Sequence, residues 1–164
     1  MSIKELFQPE LIDLQVQANS EEELFAVIAE RLLELGYVYS DYLTGITLRE
    51  QNFPTGLITQ HLNIALPHSD TEYVKKPFIY IVRLKQPVIV RQMGDNQEML
   101  VKDIFFLGIK EPTKQVGLLQ LLITLFQEEA FMEALQNVEE SEAMYALFIT
   151  KLAEMEEERV WQKS

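Results

Sequence analysis

The sequence predicts an α/β (α+β) fold, a mixed β-sheet sandwiched between helices, and three observations carry that expectation. Helical periodicity dominates residues 20–50, short β-branched and aromatic runs dominate residues 63–109, and helical periodicity returns beyond Pro112. A chain of 164 residues with 48% hydrophobic content has the size of one ordinary domain, residues 1–164, and enough apolar side chain for a core. No internal repeat, low-complexity linker or shift in composition divides it.

Taken in order, LIDLQV from Leu11 to Val16 alternates apolar and polar residues, as a strand with one buried face does. Asn19 and Ser20 then offer capping oxygens. Ser20 with Glu23 reads as a capping box, and Leu24, Val27, Ile28, Leu32 and Leu35 recur at helical spacing up to Gly36. Ser40 is placed to cap a second helix running to about Glu50, which the proline and glycine of residues 52–56 end. Strands follow at Asn63 to Leu66, Phe78 to Leu84, Val88 to Val90 and Leu100 to Ile109, with a hairpin expected between Phe78 and Val90. Beyond Pro112, helices are expected over Val116 to Phe126, Glu129 to Leu135 and Ser141 to about Glu156, with residues 155–164 fraying.

Composition removes several classes of function. A formal net charge of −12 opposes binding to a phosphate backbone, because that affinity rests on lysine and arginine displacing counterions. No apolar run approaches the roughly 20 residues that span a bilayer, and no basic segment followed by an apolar stretch marks a secretory signal, so a cytoplasmic protein is expected. The absence of cysteine excludes disulfides, a thiolate nucleophile and cysteine-ligated metal. The glutamate clusters at 21–23, 128–129, 139–140 and 156–158 read first as solvated helix faces and second as surface that attracts a basic protein partner.

Only two histidines exist, His61 and His68, within GLITQHLNIALPHSD. In one continuous strand an offset of seven puts the two rings on opposite faces, so they would not share a metal, although a bend between them would let His61 approach His68. An apolar run delivers His68 to a strand end; Pro67 restricts the backbone before it and Ser69 and Asp70 are turn formers after it. A neutral imidazole, with an ordinary pKa of about 6.5, can accept and release a phosphoryl group near neutrality. Arg49 is either a helix C-terminal cation that suits the dipole or a fork for phosphate oxygens. Thr55 and Gly56 offer a hydroxyl and a close backbone amide to an anion, or are simply a turn.

The stretch LREQNFPTGLITQHLNIALPHSD resembles the signature of sugar-phosphotransferase enzyme IIA of the fructose and mannitol type: an Arg-Glu pair, a Thr-Gly turn and an apolar strand ending in Ile-Ala-x-Pro-His. The PTG spelling, His-Ser-Asp and the later FLGIKEP are most similar to galactitol-type members. The resemblance implies the family's mixed sheet between helices, phosphotransferase/anion transport protein-like. It implies His68 as the phosphorylated histidine and Arg49 as the arginine that steadies the phosphoryl group. Thr55 and Gly56 fall on the motif's turn. Many members carry a second histidine early in the helix after the last strand, where this chain has Gln115, so any such role would pass to Gln115 or His61.

The implied cycle takes phosphate from the carrier HPr onto His68 and surrenders it to a cysteine of enzyme IIB, which serves the membrane component enzyme IIC. Neither metal nor organic cofactor is implied. Two rivals remain: an enzyme IIA-like regulatory module whose phosphorylation state controls another protein, and a hydrolase with His68 as base and Asp70 as its orienter.

Overall fold

The computed structural model describes residues 3–163, apart from the side chains of residues 112, 114–116 and 159–163. Ten main elements follow one another: β1 (Ile12–Val16), α1 (Glu21–Glu34), α2 (Tyr42–Asn52), β2 (Gly56–Ile58), β3 (Asn63–Ala65), β4 (Phe78–Arg91), β5 (Glu98–Gly108), α3 (Pro112–Leu125), α4 (Glu129–Asn137) and α5 (Ser141–Lys163). The strands form one mixed sheet in the order β1-β4-β5-β3-β2. β1 runs parallel to β4 and β3 parallel to β5, while β4–β5 and β2–β3 are antiparallel.

Alternation along the long strands builds a core on each face. Phe78, Tyr80, Val82 and Leu84 of β4, with Ile104 and Phe106 of β5, pack against α1 and α2 through Leu24, Phe25, Ile28, Leu32, Tyr42 and Ile46. The intervening Ile79, Ile81, Phe105 and Leu107 pack against Leu118, Leu122, Phe126, Met132, Leu135, Met144 and Phe148 of the C-terminal helices. A strand buried on both faces reads as a continuous apolar run, which is why FIYIV and IFFLG lack polar residues. The expected sandwich of a mixed sheet between helix layers is therefore the observed one.

The α1 boundaries follow from local chemistry. Ser20 Oγ accepts from Glu23 N–H at 3.1 Å, and the Glu23 carboxylate accepts from Asn19 N–H at 3.3 Å, one residue before the amide a capping box would use. Gly36, at φ 83°, closes the helix with Gly36 N–H on Leu33 O and Tyr37 N–H on Leu32 O, satisfying two orphan carbonyls.

Four expectations are corrected. Residues 78–90 do not form a hairpin: β4 is continuous from Phe78 to Arg91, and its hairpin partner is β5. Pro87 lies in the irregular stretch between Arg83 and Val88, where ladder pairing shifts and no N–H is required. The turn forms instead at residues 92–97, where Gly94 and Asn96 take positive φ. Ser40 does not cap α2; Asp41 occupies that position without a side-chain bond. α3 begins at Pro112, because proline's missing N–H costs nothing in a first turn. Finally, α5 continues as helix to Lys163, past the end expected near Glu156.

Arg83 joins the sheet to the C-terminal layer. It donates through Nε to Asp103 Oδ1 at 2.7 Å, through Nη2 to Leu135 O at 2.8 Å and through Nη1 to Val138 O. These carbonyls end α4, so the guanidinium caps that helix while pairing across strands.

Candidate active site

β2 and β3 form a short hairpin at the sheet edge, and its two ends hold the two histidines. At the tip, Thr59 Oγ1 donates to Leu62 O at 2.6 Å and accepts from the His61 and Leu62 amides at 3.2 and 3.1 Å. His61 O accepts from Gln136 Nε2 of α4 at 2.9 Å, so this turn is fastened to the helical layer. The other end leaves β3 through Leu66 and Pro67. Leu107 N–H donates to Pro67 O at 2.9 Å, and His68 pairs beside Leu107. His68 thus stands at the carboxyl ends of two parallel neighbours, β3 and β5, where open α/β sheets place ligands. The structure separates the two rings to opposite ends of β3 and brings Arg49, not His61, to His68.

The His68 side chain is held by one nitrogen. Nδ1 lies 2.9 Å from Leu66 O and must donate to it, because a carbonyl only accepts. That fixes the neutral tautomer with its lone pair on Nε2. His68 is 8% exposed, and Nε2 has no hydrogen-bond partner among the described residues. Burial lowers the His68 pKa below the ordinary value; Arg49 lowers it further, while the Leu66 bond and Asp70 oppose the shift. Both the lowered pKa and the Nδ1–H tautomer favour an uncharged ring with its lone pair on Nε2.

Arg49 reaches this end from the last turn of α2. Its Nη1 donates to Asp70 Oδ1 at 2.9 Å, its guanidinium lies 5.1 Å from the centre of the Phe53 ring, and its Nε is enclosed without a partner. Asp70 is committed to Arg49 while the imidazole Nδ1 is committed to Leu66. The hydrolase arrangement, with Asp70 orienting His68, is therefore replaced by a backbone carbonyl as the orienter. Ser69 Oγ donates to Asp70 O at 2.9 Å and offers no nucleophile to the ring.

Thr55 and Gly56 flank the site in other capacities. The Thr55 N–H and hydroxyl both donate to the Glu50 carboxylate, at 2.9 and 3.0 Å, and Leu66 N–H donates to Thr55 Oγ1 at 3.2 Å. The hydroxyl hydrogen is thereby engaged inside the protein. Gly56 O accepts from Met93 N–H at 2.8 Å, and a Cβ there would stand 2.5 Å from Arg91 O, so a close backbone approach demands glycine. Gln115 falls in the first turns of α3, with its side chain outside the described residues.

Sequence reasoning saw Glu50 only as the neighbour of Arg49. One signal was present: a carboxylate in the last turn of a helix opposes the dipole, so it needs a partner beyond the helix. Glu50 is 5% exposed, and burial pushes its carboxyl up to about 7 against the two Thr55 bonds and Arg49.

An α/β sandwich with an anchored neutral imidazole beside a guanidinium has the chemical equipment to handle an anionic group. The chain belongs to the phosphoenolpyruvate-dependent sugar phosphotransferase system, EIIA 2 family, whose pattern matches residues 5–151; members of this family are phosphotransferase components. It is 28% identical over 120 residues to the galactitol-specific EIIA component of Escherichia coli K12, covering 73% of this chain and 80% of that protein. It is 31% identical over 129 residues to the transcriptional regulator ManR of Bacillus subtilis, covering 77% of this chain but 18% of that protein. Among solved structures, the nitrogen regulatory protein IIA-Ntr of Neisseria meningitidis superposes with a TM-score of 0.73 at 26% identity, over 88% of this chain and 97% of that one. Enzyme IIAMTL in its complex with phosphorylated enzyme IIBMTL, from Escherichia coli, superposes at 0.68 and 19% identity, over 92% and 97%.

Proposed function

We propose that this protein is a cytoplasmic phosphocarrier that receives a phosphoryl group from phospho-HPr on His68 Nε2 and delivers it to a cysteine of an enzyme IIB serving a galactitol-type sugar transporter. The observation that carries the proposal is the division of labour on the His68 ring, with Nδ1 anchored to Leu66 O and Nε2 unpaired among the described residues, in the field of Arg49.

In the loading step the Nε2 lone pair attacks phosphorus and the bond from phosphorus to the donor imidazole breaks; the donor, already protonated on its other nitrogen, leaves as neutral imidazole with that electron pair, and phospho-His68 is left as an imidazolium whose charge the phosphoryl oxygens offset. Nδ1–H stays on Leu66 throughout, so loading needs no proton transfer to or from His68. Unloading reverses the roles: a thiolate attacks phosphorus and the Nε2–P bond breaks. Little covalent chemistry is left to the protein beyond alignment and charge, which suits a site built from one positioned ring and one guanidinium. Arg49 is to meet the phosphoryl oxygens with its guanidinium, exchanging the Nη1 contact to Asp70 for them. Phe53, 62% exposed beside Arg49, gives a partner an apolar foothold, fitting a short-lived contact.

Incubation with phosphoenolpyruvate, enzyme I and HPr is expected to add one acid-labile phosphoryl group. Presenting the loaded protein to a panel of IIB domains then identifies the sugar branch; preferential transfer to a galactitol-type IIB supports the proposal, and refusal by it contradicts that branch.

A second reading has its own support. Over 129 residues this chain is 31% identical to part of the transcriptional regulator ManR, and the fold occurs in a nitrogen regulatory protein. In that reading His68 is loaded in the same way but its charge state governs another protein. A loaded form that no IIB discharges, and that binds a target differently from the unloaded form, would favour it.

A further inference from the structure

We infer that Glu50 and Thr55 are positioning residues for the His68 ring, acting through the Leu66 peptide to keep the imidazole in the tautomer that presents Nε2. The inference deepens the phosphocarrier reading and rests on it for its kinetic part, whereas its spectroscopic part stands without it.

The chain of contacts is directional. An ionised carboxylate only accepts, so the Thr55 hydroxyl spends its single hydrogen on Glu50, to which it lies 3.0 Å from both oxygens. Its lone pairs are then the part left for a donor, and Leu66 N–H divides between that place, at 3.2 Å, and the Thr55 carbonyl oxygen, at 3.4 Å. The Leu66 residue is therefore tied at its amide, while its carbonyl is the one that takes Nδ1–H of His68 at 2.9 Å. Glu50, Thr55, Leu66 and His68 are all buried, at 5%, 3%, 0% and 8% exposure, so water has little opportunity to replace a lost member. Glu50 sits at the end of α2 beside Arg49, and the Thr55 N–H bond at 2.9 Å fixes the same carboxylate to the turn that begins β2. One side chain thus ties the helix that carries the arginine to the segment that carries the histidine, which accounts for a carboxylate buried against its own preference for water.

The test uses the whole protein at pH 8, where Glu50 is ionised. Long-range proton–nitrogen NMR spectra report which ring nitrogen of His68 carries hydrogen, and rapid-quench labelling with phospho-HPr separates the maximal rate from the KM. The wild type is expected in the Nδ1–H tautomer. Thr55→Val is expected to populate the Nε2–H tautomer and to slow the maximal rate about 10-fold or more, with KM within about twofold, because misplacement of a reacting group costs rate more than binding. Thr55→Ser restores the hydroxyl and is expected to recover both signatures. Glu50→Gln removes the charge and one of the two oxygens that accept from the Thr55 hydroxyl, and is expected to shift the tautomer in the same direction by a smaller amount. It supplies the reading if Thr55→Val does not fold. A folded Thr55→Val or Glu50→Gln protein with the wild-type tautomer and rate overturns the inference. A wild type that takes no label, yet shows the tautomer shift in the variants, leaves this inference standing and removes the phosphocarrier reading instead.

Discussion

The two histidines lie seven positions apart in sequence and at opposite ends of one short strand, and they differ in what the fold does with each ring. His68 is anchored through Nδ1, with Nε2 unpaired among the described residues, in the field of Arg49. His61 lies in a turn pinned to α4, and its Nε2 is enclosed without a partner. The contrast teaches that two imidazoles of one segment are set apart by which nitrogen the fold engages and by whether a cation stands nearby.

The sharpest way to break this comparison is to remove each ring in turn. His68→Ala is expected to abolish labelling from phosphoenolpyruvate, enzyme I and HPr, while His61→Ala keeps full stoichiometry. Persistent label in the first variant, or its loss in a folded second variant, reverses the assignment. Next in size is the cation. Arg49→Ala is expected to lower the labelling rate roughly 100-fold or more, as loss of one charged donor at a developing charge does, with Arg49→Lys recovering only part because a point charge lacks the fork.

A smaller effect concerns pH. Burial and Arg49 disfavour the charged His68 ring, so its folded pKa lies below the ordinary value of about 6.5. The neutral nucleophile then persists to lower pH, and the acid limb of the labelling rate is expected below pH 6.5. The sign for stability follows: the unfolded ring takes up its proton first, so the contribution of His68 is complete above pH 6.5 and is lost as pH falls through the folded pKa. A ring titrating above 6.5 by NMR would contradict this. Smallest for the chemistry is Gly56→Ala, where the new Cβ meets the Arg91 carbonyl and the Met99 sulfur. It is expected to cost about 1–3 kcal/mol in thermal unfolding while the folded fraction still labels.

Much of this was legible in the sequence because the deciding signals are local. Ser20, Glu23 and Gly36 delimit α1, and FIYIV and IFFLG declare strands buried on both faces. The β4–β5 pairing was not legible, because Pro87 imitates a turn and only the sheet reveals that an irregular stretch absorbs it. At the site, Arg49 and His68 stood out by residue type and by resemblance. Their connection through Glu50, Thr55 and Leu66 did not, since it joins residues up to 18 positions apart through a backbone amide and a carbonyl, neither of which leaves a mark in composition.

The most direct test of the account is the position of phosphorus on the loaded protein. Nitrogen-15 and phosphorus-31 NMR at alkaline pH, where phosphohistidine endures, are expected to place a single phosphoryl group on His68 Nε2 with hydrogen retained on Nδ1. A phosphoryl group on His68 Nδ1, or on His61, would contradict it.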